Sequence, residues 1–305
     1  MAEKLKLTIL GRGASLPSKT SNQSAQILGM HNKLMLIDCG EGTQNAIRQL
    51  DVALARLNHI FISHLHGDHL LGLPGLLSTL GMLGRKGALS LYGHAPLEKY
   101  IQQQIEFFGE DFGYPIDFHP IDPFHESVIY EDKAMKVTAF PLKHSIPCNG
   151  FVFEEKPKPL HLNRAKADAY NVPTSQYLNI KNGMDYVTPE GIVIPNKELT
   201  LPADESKKYA YCSDTAYNEK IIPYIEGADC LFHEATFHSQ HKLRAKETQH
   251  STAQQAAEIA RKAKVKRLII GHVSARYCDY TPLLEEAKAI FENTEMAEEK
   301  KSYWF

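Results

Sequence analysis

The segment His64-Leu65-His66-Gly67-Asp68-His69 concentrates three imidazoles and one carboxylate in six residues. In an extended stretch, residues two apart point the same way, so His64 and His66 share a face. Gly67 lets the chain turn tightly. Asp68 and His69 then swing back to the same cavity from the start of a following helix. Nitrogen and oxygen donors in this density suit a catalytic zinc site that keeps a coordination position open. A polar surface turn would use the same residue types, but here they follow directly on the apolar run Ile60–Ser63.

One loop cannot close two metal sites, and the later sequence supplies further donors. His144 follows the strand pattern Met135–Phe140, Asp214 follows Tyr209–Ser213, and His272 follows Arg267–Gly271. Each stands just past a strand end, where α/β architectures put their chemistry. A carboxylate such as Asp214 can bridge two cations with its two oxygens. Taken singly, each of the three is as readily a cap or a satisfied core residue; their shared placement favours ligation.

The elements that must position these residues read as a mixed α/β chain. Strand patterns fall at Leu5–Leu10, Ala25–Gly29, Lys33–Asp38, Ile60–Ser63, Ala88–Tyr92, Ile116–Pro120, Ser127–Tyr130, Met135–Phe140, Phe151–Glu154, Tyr209–Ser213, Cys230–Glu234 and Arg267–Gly271. Helical patterns fall at Glu41–Leu50, Leu73–Leu83, Pro96–Phe108, Tyr217–Glu226, Thr252–Ala263 and Pro282–Glu292, with Ser251-Thr252 as the N-cap of the fifth. Two sheets face to face with helices outside, an αββα sandwich, would bury both faces of each sheet. The expected organisation is one domain over residues 1–305, with a Pro-interrupted arm at about 154–180. The basic run Arg261–Arg267 ends a helix, where cations offset the carbonyl dipole. The acidic stretch Glu292–Glu299 reads as a solvated tail.

Composition sets the outer bounds. Of 305 residues, 43% are hydrophobic and 23% charged, which excludes a disordered chain. The N-terminal residues lack a signal-peptide h-region, and no apolar run of membrane-spanning length occurs. Five scattered cysteines without a CxxC pair suit free thiols in a reducing cytoplasm. A formal charge of −2 advertises no general affinity for nucleic acid, so an RNA substrate would depend on local patches and bound metal.

HLHGDH resembles the signature of the metallo-β-lactamase superfamily. Further segments narrow the resemblance: Leu10–Ser18, Asp38-Cys39-Gly40-Glu41-Gly42-Thr43-Gln44, Gly72–Leu76, His233-Glu234-Ala235-Thr236, His250-Ser251-Thr252 and Ser274–Tyr277. Together they resemble the short form of tRNase Z (ribonuclease Z), the endonuclease family that matures the 3′ end of transfer RNA. The resemblance implies that His64, His66 and His144 hold one zinc, that Asp68, His69 and His272 hold the other, and that Asp214 bridges them. It implies Asp68 as proton acceptor for the attacking water, and His250, oriented by Glu234, as proton donor to the leaving oxygen. It also implies a homodimer whose arm grips precursor tRNA. The chain carries Arg12 and Ser21 where the family often has Thr and Arg.

Two such ions lower the pKa of water to near 7 and stabilise charge on phosphate. His233 alternates away from Glu234 and stays outside the site. Manganese would accept the same donors as zinc. The competing activities are hydrolysis of small or cyclic phosphodiesters, a lactamase or thioesterase reaction, and metal-free RNA binding. A lactamase often uses Cys where this chain has Asp214, and a metal-free relative would have lost ligands.

Overall fold

The computed structural model describes residues 5–18, 21–50, 52–108 and 112–305, so residues 1–4 of the N-terminal segment lie outside it. Two seven-stranded sheets carry the fold. The first runs Ser302–Trp304, Lys6–Gly11, Ala25–Met30, Lys33–Ile37, Leu57–Phe61, Leu89–Gly93, Ile116–Pro120. The second runs Thr294–Met296, Leu268–Gly271, Cys230–Glu234, Lys208–Cys212, Asn149–Glu155, Met135–Pro141, Ser127–Glu131.

Strand alternation assigns the faces. Tyr209 and Tyr211 point to the opposite sheet, where Tyr209 donates to Gln26 and Tyr211 to Asp38. Phe61 packs there against Phe151 and Phe153, with ring centroids 5.8 and 5.3 Å apart. Ala210 and Cys212 point outward and pack with Ala256, Ala260 and Leu283 of helices Ala253–Lys262 and Thr281–Lys288. Leu36, Ile60 and Leu91 pack with Ile47, Leu76, Leu77 and Leu97 of the helices on the other side. The result is the αββα sandwich expected from the sequence.

Strand direction explains where chemistry collects. Lys208–Cys212, Cys230–Glu234 and Leu268–Gly271 are parallel, as are Lys33–Ile37 and Leu57–Phe61. Within each group the C-terminal ends therefore emerge on one edge, and the residues just beyond them meet there.

Two local expectations change, and one helix is added to those expected. Tyr217–Glu226 is not one helix; a 3-10 turn, Glu219–Ile221, precedes a single α-turn, Ile222–Ile225. Pro223 has no N–H to continue a helix begun upstream. The acidic tail is not a solvated segment. Thr294–Met296 pairs parallel to Leu268–Gly271, and Ser302–Trp304 pairs with Lys6–Gly11. Buried Met296, Ala297 and Tyr303, set between the charges, anchor it. A further helix, Lys242–Thr248, buries only Ala245 and leaves no apolar stripe in the sequence. The basic run is consumed by ion pairs: Lys262 with Glu219, Lys266 with Asp229, Arg267 with Glu295. All five cysteines are free, and four of them are buried.

A second compact unit comprises residues 132–135 and 155–206. It has its own core of Ala167, Val172, Ile180, Tyr186, Ile194 and Leu199. It therefore reaches past the 154–180 segment, because residues after 180 supply half that core. Of the cations in this segment, Lys158 pairs with Glu155, Arg164 with Asp168 and Lys166 with Glu198. No helix among the described residues is long and apolar enough to cross a membrane.

Candidate metal centre and catalytic cleft

The strand Leu57–Phe61 delivers the chain to Ser63 and His64. His66 then stands at the N-cap of the short helix Gly67–Leu70, whose first turn carries Asp68. His64 Nε2 and His144 Nε2 each lie 3.2 Å from His66 Nδ1. The same two Nε2 atoms lie 3.6 and 3.7 Å from Asp214 Oδ2. On the other side, His69 Nε2 and His272 Nε2 are 3.3 Å apart, and lie 3.7 and 3.4 Å from Asp68 Oδ2. They face Asp214 Oδ1 at 3.3 and 3.2 Å. Asp214 thus turns one oxygen to each cluster. All seven residues expected as ligands come together, and Glu234 and His250 stand beside them.

Hydrogen bonds fix which ring nitrogen faces the centre. His144 Nδ1 donates to the Gln249 carbonyl at 3.0 Å, and His69 Nδ1 donates to Asp38 Oδ2 at 2.7 Å. Thr236 gives its hydroxyl proton to Glu234 Oε2 at 2.7 Å, so it accepts from His272 Nδ1 at 3.0 Å. Ser63 donates to Asp38 Oδ2 at 2.9 Å and accepts from His64 Nδ1 at 3.0 Å. Four rings therefore present a bare Nε2 to the cavity, the tautomer a metal ligand needs.

The donor set fits divalent metal. Nitrogens about 2.0–2.1 Å from a tetrahedral ion stand about 3.3 Å from one another, close to the separations here. Asp214 Oδ1 is fully buried with no hydrogen-bond partner among the described residues. An orphaned buried carboxylate oxygen is costly unless a cation meets it. Burial and the neighbouring rings push His64 below the usual imidazole range, and burial lowers His66 and His144 also. Such rings remain neutral ligands. Burial opposes charge on His69 too, but Asp214 and Asp38 outweigh it and hold the ring above the usual imidazole range, so positive charge is favoured at this point, and a cation on the bare Nε2 would supply it. Burial likewise disfavours ionised Asp68 and Asp214, yet the surrounding imidazoles hold both carboxyls well below their usual range.

Asp38, to which the sequence assigned no role, is the hub behind the ligands. Its carboxylate is fully buried and accepts from His69, from Ser63 N at 2.7 Å, from Ser63 Oγ and from Tyr211 OH at 2.6 Å. Asp38 and His272 both adopt left-handed backbone, with φ 56° and 54°. Non-glycine residues hold such angles at about 1–3 kcal/mol each. A Cβ at Gly40 would meet the Asp68 carbonyl at 2.3 Å, so only glycine lets this segment seat the metal loop. Cys39 N donates to the His69 carbonyl at 2.8 Å and Gly72 N to the Cys39 carbonyl at 2.9 Å. Ser15 N donates to Asp68 Oδ2 at 2.7 Å.

His250 lies over the centre, its ring 5.0 Å from that of His144 and 5.4 Å from that of His272. It stands two residues before Thr252, the N-cap of helix Ala253–Lys262, which Thr252 and Gln255 close with a capping box. His250 Nδ1 donates to Glu234 Oε1 at 2.8 Å. Burial opposes the charged imidazole, but the Glu234 carboxylate outweighs it and lifts His250 to about 9. His233 is buried outside the cluster, with Nε2 unpartnered among the described residues. The two unusual residues of the N-terminal segment bind the C-terminal one. Arg12 Nη1 donates to the Ala297 carbonyl and stacks on Tyr280, and Ser21 Oγ donates to Glu299 Oε1 at 2.6 Å.

Fold and site define the class: a metal-dependent hydrolase of the metallo-β-lactamase fold. Residues 199–273 match the model of a beta-lactamase superfamily domain, and residues 5–156 that of the anti-Pycsar protein Apyc1. A ribonuclease Z of Parabacteroides distasonis is 54% identical over 96% of both chains. One from Bacteroides fragilis is 50% identical over 97% of this chain and 98% of its own. The crystal structure of human tRNase Z, short form, superposes with a TM-score of 0.72 at 25% identity, covering 98% of each chain. The chain belongs to the ribonuclease Z family.

Proposed function

We propose that the chain is a metal-dependent endoribonuclease that removes the 3′ trailer from precursor tRNA and leaves a 3′-hydroxyl on the tRNA. The observation that carries this reading is the pairing of the two-faced Asp214 centre with the His250–Glu234 dyad in a chain of this family. When bound, two divalent ions, zinc by the count of imidazole donors, would neutralise phosphate charge and ease deprotonation of water. His64, His66, His144 and Asp214 Oδ2 would hold one; Asp68, His69, His272 and Asp214 Oδ1 the other.

The remaining steps belong to the chain's own groups. Asp68, steered by the Ser15 N–H on its Oδ2, accepts a proton from the attacking water. The water oxygen bonds to phosphorus as the bond from phosphorus to the 3′ oxygen breaks. His250, kept protonated by Glu234, gives its proton to that oxygen, a contribution of about 10²–10⁴-fold for a positioned acid. Phosphate stays on the trailer. The reading carries with it a cytoplasmic homodimer. Free cysteines support the compartment, and exposed Met82, Leu83, Phe107 and Phe108 support an apolar interface.

Incubation with a 3′-extended tRNA precursor tests the activity. The expected products are a tRNA ending in 3′-hydroxyl and a 5′-phosphorylated trailer. Turnover of bis(p-nitrophenyl) phosphate without precursor cleavage would replace this reading with a small-phosphodiester hydrolase.

A further inference from the structure

A cleft of about 640 Å³ opens beside the metal centre and shares His144 with it. Its size falls within the roughly 300–1,000 Å³ of small-ligand pockets. Phe124, Lys143, Tyr217, Asn218 and Lys220 are among the residues that line it.

Phe124 is 70% exposed, and its backbone is held in a turn. Asp122 accepts from Phe124 N and from His125 Nδ1, both at 2.8 Å, which closes the turn and presents the ring outward. Lys143 is docked on the loop after Asp214: its N–H donates to Thr215 Oγ1 at 3.1 Å, and its carbonyl accepts from Ala216 N at 2.7 Å. Asn218 Oδ1 accepts from Lys220 N at 3.1 Å and fixes that residue. The carboxylates nearest in sequence are engaged elsewhere, Asp122 with His125 and Glu219 with Lys262 and Tyr217. Neither Lys143 nor Lys220 is in an ion pair among the described residues. An exposed aromatic face with two ammoniums outside any ion pair among the described residues, beside a centre proposed to cleave phosphodiesters, is the pattern of a single-strand nucleotide site.

We infer that this cleft binds a nucleotide of the RNA strand flanking the scissile phosphate, with Phe124 stacking on its base and Lys143 and Lys220 contacting backbone phosphates. The inference rests on the activity proposed above. The strand can run through the cleft on either side of the cut; both sides present the same chemistry, a base and its phosphates.

The test uses the metal-loaded enzyme with precursors carrying a one-nucleotide or an eight-nucleotide trailer, and bis(p-nitrophenyl) phosphate as a control. Phe124→Ala should raise KM for precursor roughly 5- to 150-fold, the range of base–aromatic stacking, and Phe124→Trp should restore it. The double variant K143A/K220A should flatten the dependence of log KM on log salt by about 0.7 for each phosphate that a lysine no longer neutralises. Turnover of the small diester should be unchanged. A KM effect confined to the long trailer assigns the cleft to the trailer, and an equal effect on both assigns it to the tRNA 3′ end. Unchanged KM and salt slope in both variants overturn the inference. Failure of the unaltered enzyme to cut either precursor while splitting the diester overturns the activity instead.

Discussion

Replacing Asp38 with Asn tests the buried network behind the metal ligands. Oδ2 of Asp38 accepts from three donors, His69 Nδ1, Ser63 Oγ and Tyr211 OH, and Oδ1 accepts from Ser63 N. An amide must turn its NH2 to one side. The lesser conflict places it against Ser63 N, which leaves a buried donor unsatisfied at a cost of about 1–3 kcal/mol. On the other side, His69 now donates to a neutral oxygen, and charge-assisted bonds are roughly twice as strong as neutral ones. Loss of a partner behind a ligating imidazole weakens metal affinity typically 10–100-fold, or about 1.4–2.7 kcal/mol. Competition with a chromophoric chelator should therefore show weaker binding of at least one ion by that factor. Activity should recover in part when metal is supplied in excess. Metal affinity within twofold of the unaltered chain would refute the assignment of Asp38 as the group that orients His69.

Three further outcomes follow from the same geometry. Glu234→Gln removes the charge that lifts His250 to about 9, leaving burial to push the imidazole down. The protonated acid is then lost at lower pH, so the alkaline limb of the kcat/KM profile should move downward; an unmoved limb would exclude His250 as the acid. Glu299→Ala removes the carboxylate that accepts from Ser21 Oγ and, at 2.7 Å, from Asn22 N. That loosens the segment whose Ser15 N steers Asp68, and kcat should fall several-fold while KM for the small diester stays within twofold. Glu154 pairs with Lys208 across adjacent antiparallel strands, so residues 156–206 can be replaced by an Asn-Gly hairpin. The shortened chain should split bis(p-nitrophenyl) phosphate normally and lose precursor cleavage; equal loss on both substrates would argue against a tRNA-gripping role for this unit.

Local pattern made part of the site legible. His64 and His66 are two apart after a strand, and His144, Asp214 and His272 each follow one, so period and strand-end position suffice to nominate them. Asp38 stands in the same relation to Lys33–Ile37, but its task depends on Tyr211, 173 residues away, and on a ring it meets only after folding. Thr236 was visible only as part of a family segment, because its role as relay between Glu234 and His272 requires two strand ends to be adjacent. The tail misled because Glu295 and Glu298 mask Thr294, Met296 and Ala297, whose burial depends on a sheet edge supplied by Leu268–Gly271.

Metal content with location is the most direct measurement. The chain, purified without chelator and loaded with zinc, should bind two ions per chain. Anomalous scattering should place one against Asp214 Oδ2 with His64, His66 and His144, and one against Asp214 Oδ1 with Asp68, His69 and His272. A single ion, or ions bound away from Asp214, would contradict the account.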